Sequence, residues 1–174
     1  MTDTTPELPA VPGMMPFIHN VDTAPAYWWL DIYWVILVHG DDTGGRYSLM
    51  YEELPKGSGA PPHKHAWSDE HFYITAGEIS FLVGDEIKIG VKGDFVFVPR
   101  NTRHAFRVES ETAAFLNGYT PSGLEMAVAD MAMSAPSRTI PPKGATPPPA
   151  MTPELMRRYG MDNVPGENPL LLAH

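Results

Sequence analysis

The sequence contains no cysteine. That excludes disulfides, thiolate zinc sites, iron–sulfur clusters and a cysteine nucleophile. Basic residues are scarce: 12 Lys and Arg stand against 21 Asp and Glu, a net charge of −9. No Lys/Arg cluster is present to displace counterions from a phosphate backbone, so a nucleic-acid partner is not expected. No apolar run approaches the roughly 18 residues that span a bilayer, so no membrane partner is expected either. The N-terminus is polar and proline-dotted, without the basic start and apolar stretch of a secretion signal, and the expected location is the cytoplasm. Proline is nearly missing from the middle: of 19 prolines, eight fall in residues 1–62, two in 63–135 and nine in 136–174. Proline removes a ladder donor, so a sheet is expected in that middle stretch.

What is present suits one ordinary domain. The chain has 174 residues, 43% of them apolar, with 15 glycines, enough to bury a core without staples. Residues 1–26 read as an N-terminal arm. From Tyr27, a β-branched and aromatic run reaches Val38 and ends at the turn signal Asp41-Asp42-Thr43-Gly44-Gly45, with a break expected near Asp31. Arg46–Leu54 reads as the returning strand, and residues 57–62 as a Gly/Pro-rich loop. Short strands are predicted at 71–76, 78–83, 86–91, 94–98, 105–109 and 112–119, with Gly or Asp at the corners. This spacing predicts a β-sandwich or barrel over residues 27–120. Residues 121–174 read as a helical and Pro-rich extension. Ser122 with Glu125 suggests a capping box. Thr152-Pro153-Glu154 starts a second, short helix that stops at Gly160. Leu170-Leu171-Leu172 suits docking on an apolar surface.

The chemistry concentrates on a few residues. His63 and His65 are two apart, so in a strand both imidazoles face the same way and reach one metal. Glu70 begins the next strand. His104 follows Pro99-Arg100-Asn101-Thr102-Arg103, a turn in which Asn101 tolerates the left-handed region. Imidazole and carboxylate ligation suits one divalent transition metal per chain: iron, nickel, manganese, cobalt, copper or zinc. His71 has the opposite parity to Glu70 and is expected to face out. His19, His39 and His174 have no spacing partner.

The spacing Gly57, five residues, His63, one, His65, four, Glu70, six, Gly77 resembles the first motif of the cupin superfamily. Gly93, five residues, Pro99, then His104 resembles the second, with 15 residues between Gly77 and Gly93. The likeness covers roughly residues 46–118. Two positions depart from it: Asn101 stands where Gly is usual and Val108 where Asn is usual. The resemblance implies an all-β, double-stranded β-helix or jelly-roll barrel with short C-terminal helices and a Pro-rich tail. It maps the metal ligands onto His63, His65, Glu70 and His104, and allows Glu70 to act as catalytic base. In an apolar barrel that carboxyl is expected to be raised toward neutrality.

Cupin interiors are lined by alternate inward residues. On that basis the substrate-binding candidates are Tyr47, Tyr51, Phe72, Phe81, Phe106, Phe115 and Trp67, with Leu49, Ile74, Val83, Trp28, Trp29 and Trp34 adding apolar surface. Lys64, Arg103 and Arg107 are the only nearby bases. The expected partner is therefore a hydrophobic, aromatic small molecule.

Within the superfamily, the stretch from Glu70-His71-Phe72-Tyr73-Ile74 to His104-Ala105-Phe106-Arg107 resembles small, single-domain quercetinase-like cupins. That implies a metal-dependent dioxygenase, with dioxygen as co-substrate, acting on an aromatic or enolic hydroxy-ketone. Two alternatives stand beside it. One is a non-oxidative lyase, isomerase or cyclase on a hydrophobic carbonyl compound, working by Lewis-acid polarisation. The other is a non-enzymatic small-molecule-binding cupin. The apolar Trp28–Val38 run, read as an exposed edge, predicts a homodimer.

Overall fold

The computed structural model describes residues 14–146 and 152–171. The first thirteen residues of the arm, Pro147, Pro148 and Pro149, Leu172 and His174 lie outside the described residues.

The aromatic run folds as two strands, β1 (Ala26–Trp29) and β2 (Ile32–Val38). They meet at a tight turn in which Leu30 takes φ +59°, and the Thr146 hydroxyl donates to its carbonyl. A 3-10 turn over Gly40–Thr43 leads into β3 (Ser48–Pro55). Next come β4 (Gly59–His65), β5 (Asp69–Ala76), β6 (Glu78–Val83) and β7 (Glu86–Val91). The barrel closes with β8 (Phe95–Val98), β9 (His104–Val108) and β10 (Thr112–Thr120). The C-terminal part adds α1 (Leu124–Met131), β11 (Met133–Ser134), α2 (Pro153–Arg158) and β12 (Met161–Asn163).

Two antiparallel sheets face each other across the core. One has the order β11-β1-β2-β3-β10-β5-β8, the other β12-β4-β9-β6-β7. The main core cluster fills the space between them, from Trp29, Trp34 and Met50 through Phe72, Phe81, Phe106 and Phe115 to Leu124 and Val128. The extension thus supplies an edge strand to each sheet.

Three local readings change. Residues 59–62 are strand, not loop, although Pro61 and Pro62 lie within it. The β4–β9 register shifts between Ala60 and His63, so the prolines occupy a bulge where no ladder donor is needed. Helix α1 is not closed by a Ser122/Glu125 box: its N-cap is Gly123 with no side-chain cap. The Glu125 carboxylate is buried instead and accepts from the backbone N–H groups of Gly40 and Gly123 at 3.1 and 2.7 Å. Thr152 does cap α2, its hydroxyl accepting from Leu155 N–H at 3.1 Å.

The third change is the inward face of β3. Ser48, Met50, Glu52 and Leu54 are buried, while Leu49, Tyr51 and Glu53 are half-buried on the other face. That outer face is covered by the same chain. Trp28, Tyr33 and Val35 pack there with Ala24, and Val21, Tyr51 and Ala135 lie against them. The Trp28 indole donates to Thr139 O at 2.7 Å, and the Arg138 guanidinium donates to Val21 O and Ala24 O. The β1–β2 run is therefore interior on both faces, and its apolar character needs no second chain to cover it. Among the described residues no helix is long and apolar enough to cross a membrane.

Candidate metal centre

Strand alternation puts His63 and His65 on one face of β4. β9 lies beside β4, and its first residue, His104, sits directly opposite His63. Glu70 reaches the same point from β5 in the facing sheet. The turn before His104 is held by Asn101, at φ +62°, whose N–H donates to His65 O at 2.8 Å. Asparagine thus serves the left-handed position that the sequence assigned it.

The four side chains are buried, and their ligand atoms all lie within 4.8 Å of one another. The ring centroids are 4.1 Å apart for His63 and His104, 5.0 Å for His63 and His65 and 5.3 Å for His65 and His104. Nδ1 of His63 and Nδ1 of His104 meet the carbonyls of Pro61 and Thr102 at 2.8 and 2.9 Å. Those N–H donations leave each Nε2 as a lone-pair atom. Glu70 Oε2 lies 2.7 Å from His104 Nε2 and 3.3 Å from His65 Nε2. None of these three atoms makes a geometrically sound hydrogen bond among the described residues. Buried polar atoms are ordinarily paired. Several of them converging unpaired on one point, from nitrogen and oxygen donors, is the arrangement a divalent transition metal fits.

The other carboxylate oxygen of Glu70 is occupied. Its Oε1 accepts from Asn117 Nδ2 at 3.0 Å and from Tyr119 Oη at 2.5 Å. Sequence reading missed both residues. The signal was available, because Phe115, Asn117 and Tyr119 share one parity on β10 and Phe115 was read as inward.

Electrostatics differ from the expectation at Glu70. Burial would raise this carboxyl, but the imidazoles of His65 and His104 outweigh it and hold it well below the usual range. Burial would lower His104, and the Glu70 carboxylate more than offsets that, so it is raised. His63 is pushed down to about 3 by burial, with His104 and His65 adding to it. The carboxyl raised well above its ordinary value is Glu52, by burial first and by Glu70 second. Tyr119 is raised for the same reasons, burial and then the two carboxylates.

An apolar cleft opens onto the cluster, with about 630 Å³ of free space including its mouth. It reaches His63 and Glu70, and its walls include Trp29, Ile32, Trp34, Phe106, Leu124 and Met161. No Lys or Arg lines it among the described residues.

Of the seven substrate-binding candidates, only Phe106 lines this cleft. Tyr47 precedes β3 and is 41% exposed, and Tyr51 belongs to the outer cluster. Trp67 is 54% exposed and lies against Gly160. Phe72, Phe81 and Phe115 form an edge-to-face group with Phe106, with Phe72 centroids 5.2–5.6 Å from the other three. They are core behind the cleft. His71 is on the opposite face from Glu70, half-buried and stacked on Phe95 at 5.7 Å. Glu52 also lines the cleft, although the sequence reading did not name it.

Comparison with known proteins agrees with this geometry. Residues 50–118 match the cupin domain family. Over 85 residues the chain is 32% identical to quercetin 2,3-dioxygenase of Bacillus subtilis (strain 168), covering 48% of this chain. The match spans only 25% of that relative's own length. Among solved structures, KdgF from a Halomonas species matches with a TM-score of 0.57 at 18% identity, over 65% of this chain and 99% of that one. An RmlC-like cupin from Shewanella frigidimarina matches at 0.54 and 16% identity, over 62% and 92%. A predicted oxalate decarboxylase from Thermotoga maritima matches at 0.54 and 18%, over 61% and 99%. At these identities the structures speak for the fold alone. Motif spacing, sheet order and the family match agree: residues 50–118 are similar to the cupin domain family, and about half of the chain is similar in sequence to part of a quercetin dioxygenase.

Proposed function

We propose that the protein is a metal-dependent dioxygenase acting on a hydrophobic aromatic or enolic hydroxy-ketone. The observation that carries this reading is the pairing of an apolar, base-free cleft with a carboxylate held ionised beside three imidazoles. His63, His65, His104 and Glu70 are the proposed holders of one divalent metal. Such an ion supplies Lewis acidity toward a ligand oxygen and, where redox-active, access to dioxygen.

The chain's own residues do the rest. Trp29, Trp34, Phe106 and Leu124 bind a flat apolar ligand and exclude water. Glu70 is the group positioned to take the ligand's hydroxyl proton, and Tyr119 and Asn117 fix its orientation through Oε1. An anionic sugar or organic acid would find no Lys or Arg in the cleft to balance its charge.

The test is oxygen consumption by metal-loaded protein on a panel of flavonols. Turnover dependent on both metal and oxygen supports the reading; a silent panel at full metal occupancy overturns it. A second buried carboxyl in the same cleft, Glu52, favours proton-transfer chemistry without oxygen as the alternative. Turnover under strict anaerobiosis distinguishes it.

We also propose a homodimer, now on a different surface. The edge strands β7 and β8 expose Ile87, Ile89, Val91, Phe95 and Phe97, with Tyr73 of β5 beside them. Apolar edges of this kind invite pairing. Light scattering on the full chain is the check, and a monomer mass rejects it.

A further inference from the structure

The metal cluster does not account for two polar atoms of the cleft. Glu52 Oε1 and Trp29 Nε1 are buried, and neither has a partner among the described residues. Glu52 is 1% exposed and Trp29 5%. Both side chains line the cleft that reaches His63 and Glu70.

The register sets them apart from the metal cluster. On β10, Glu70 stands opposite Tyr119, whereas Glu52 stands opposite Phe115, four residues further back. On its other side Glu52 faces Trp34 of β2. Trp29 pairs with Ile32, two residues before Trp34 on the same strand face. The Trp34 indole is already used, donating to Trp29 O at 3.3 Å. The Trp29 indole is not.

An indole N–H only donates, and a carboxyl both accepts and, when protonated, donates. A ligand hydroxyl has the complementary chemistry: it can accept from the indole N–H and donate to a carboxyl oxygen. Burying either unpaired destabilises the fold, and no partner among the described residues offsets this. The surrounding walls, Ile32, Trp34, Leu124 and Met161, are apolar. We propose that Glu52 and Trp29 form a second polar subsite of the cleft, which selects a neutral, largely apolar ligand carrying a hydroxyl at the end remote from the imidazole cluster. The inference deepens the functional reading above and rests on it only in taking this cleft as the ligand site. Burial keeps the Glu52 carboxyl protonated beyond the ordinary range, so it offers an O–H as well as a C=O.

The test uses the full chain, metal-free, in three forms: wild type, Glu52→Gln and Glu52→Leu. Calorimetry compares p-cresol with toluene, which differ by one hydroxyl. Wild type is expected to prefer p-cresol about tenfold, the scale of one net hydrogen bond in a dry site. Glu52→Gln keeps most of that preference, because an amide still pairs with a hydroxyl. Glu52→Leu loses or inverts it. An unchanged preference in Glu52→Leu overturns the proposal, as does wild type that binds both alike or neither. Oxygen consumption on flavonols is read separately, so the dioxygenase reading stands or falls on its own result.

A stability readout separates this role from a structural one. Removing an unpartnered buried acid raises the Tm of Glu52→Leu, by about 2–6 °C for a chain this size. A lower Tm makes Glu52 part of the scaffold and overturns the proposal.

Discussion

The phenol of Tyr119 donates to Oε1 of Glu70 at 2.5 Å, while Oε2 of the same carboxylate faces His104 Nε2 at 2.7 Å. One group is thus held from behind by β10 and presented forward to the histidines. Partners that orient a metal ligand typically contribute 10–100-fold to affinity. Tyr119→Phe removes the donor and keeps the ring, so metal affinity is expected to fall by about tenfold or more. Competition titration against a chelator measures it, and an unchanged affinity removes Tyr119 from this role.

Metal analysis comes before any substrate work. Purified wild type is expected to carry close to one divalent transition metal per chain, and His63→Ala almost none. The imidazole at His63 is neutral above pH 4, since burial and its two neighbours push it down to about 3, so protons do not compete for it at neutral pH. Metal-free wild type, after loading during expression, removes both enzymatic readings and leaves the binding module.

Glu52 gives the chain a testable pH dependence. Its pKa in the folded state lies above the ordinary value of 4.5. The fold therefore favours its protonated form. That contribution is full below the unfolded value and is lost as pH rises through the folded one. Glu70 and Tyr119 line the same cleft, and the Glu70 carboxylate adds to the effect of burial on Glu52. Glu52→Gln cannot titrate, so its stability relative to wild type should increase as pH rises from about 4.5, then level off. Urea unfolding at a series of pH values reads the difference. A flat line would mean that the folded and unfolded values of Glu52 coincide.

The aromatic group behind the cleft separates structure from recognition. Phe72 is 1% exposed and touches Phe81, Phe106 and Phe115 edge-on. Phe72→Ala is expected to cost about 3–5 kcal/mol through transfer and cavity terms, visible in denaturant unfolding. Phe106→Leu costs less but reshapes the cleft wall, and its effect should appear in ligand affinity. Equal effects of the two on binding would contradict the division.

The tail braces the ligand strand. Met161 and Asn163 of β12 pair with His65 and His63 of β4, and Ala66 N–H donates to Gly160 O at 2.7 Å. Gly160 holds φ +73°, and a Cβ there would meet the Trp67 ring at 2.8 Å. Gly160→Ala combines left-handed strain with that clash. It is expected to detach β12 and to weaken metal binding without unfolding the barrel. Hydrogen exchange at residues 161–163 and chelator competition check it, and protected amides with unchanged affinity would contradict it.

Much of this molecule is local and therefore readable. Gly and Asp corners, β-branched runs and the i, i+2 spacing of His63 and His65 each express a rule that acts within a few residues. The break at Asp31, the left-handed Asn101, the Thr152 cap and the outward His71 all followed from such rules. The co-assembly of Glu70 and His104 with the His pair is not local, and the likeness of the motif spacing to cupins carried it.

What the sequence did not reveal depends on what covers each strand. Both faces of β3 are hydrophobic enough to be inner, and the inner one contains Ser48 and Glu52, so polarity pointed the wrong way. Residues 21–24 and 135–139, far apart in the chain, bury the outer face and make Tyr51 a packing residue. The same covering makes the β1–β2 run internal. By itself the sequence determined the strands, their corners and the candidate ligands, because turn chemistry and side-chain alternation act within a few residues. Only the tertiary structure decided which alternate set faces the cleft, which carboxyl is raised and which aromatics a ligand can touch. Burial and field arise from segments that meet only when the two sheets close.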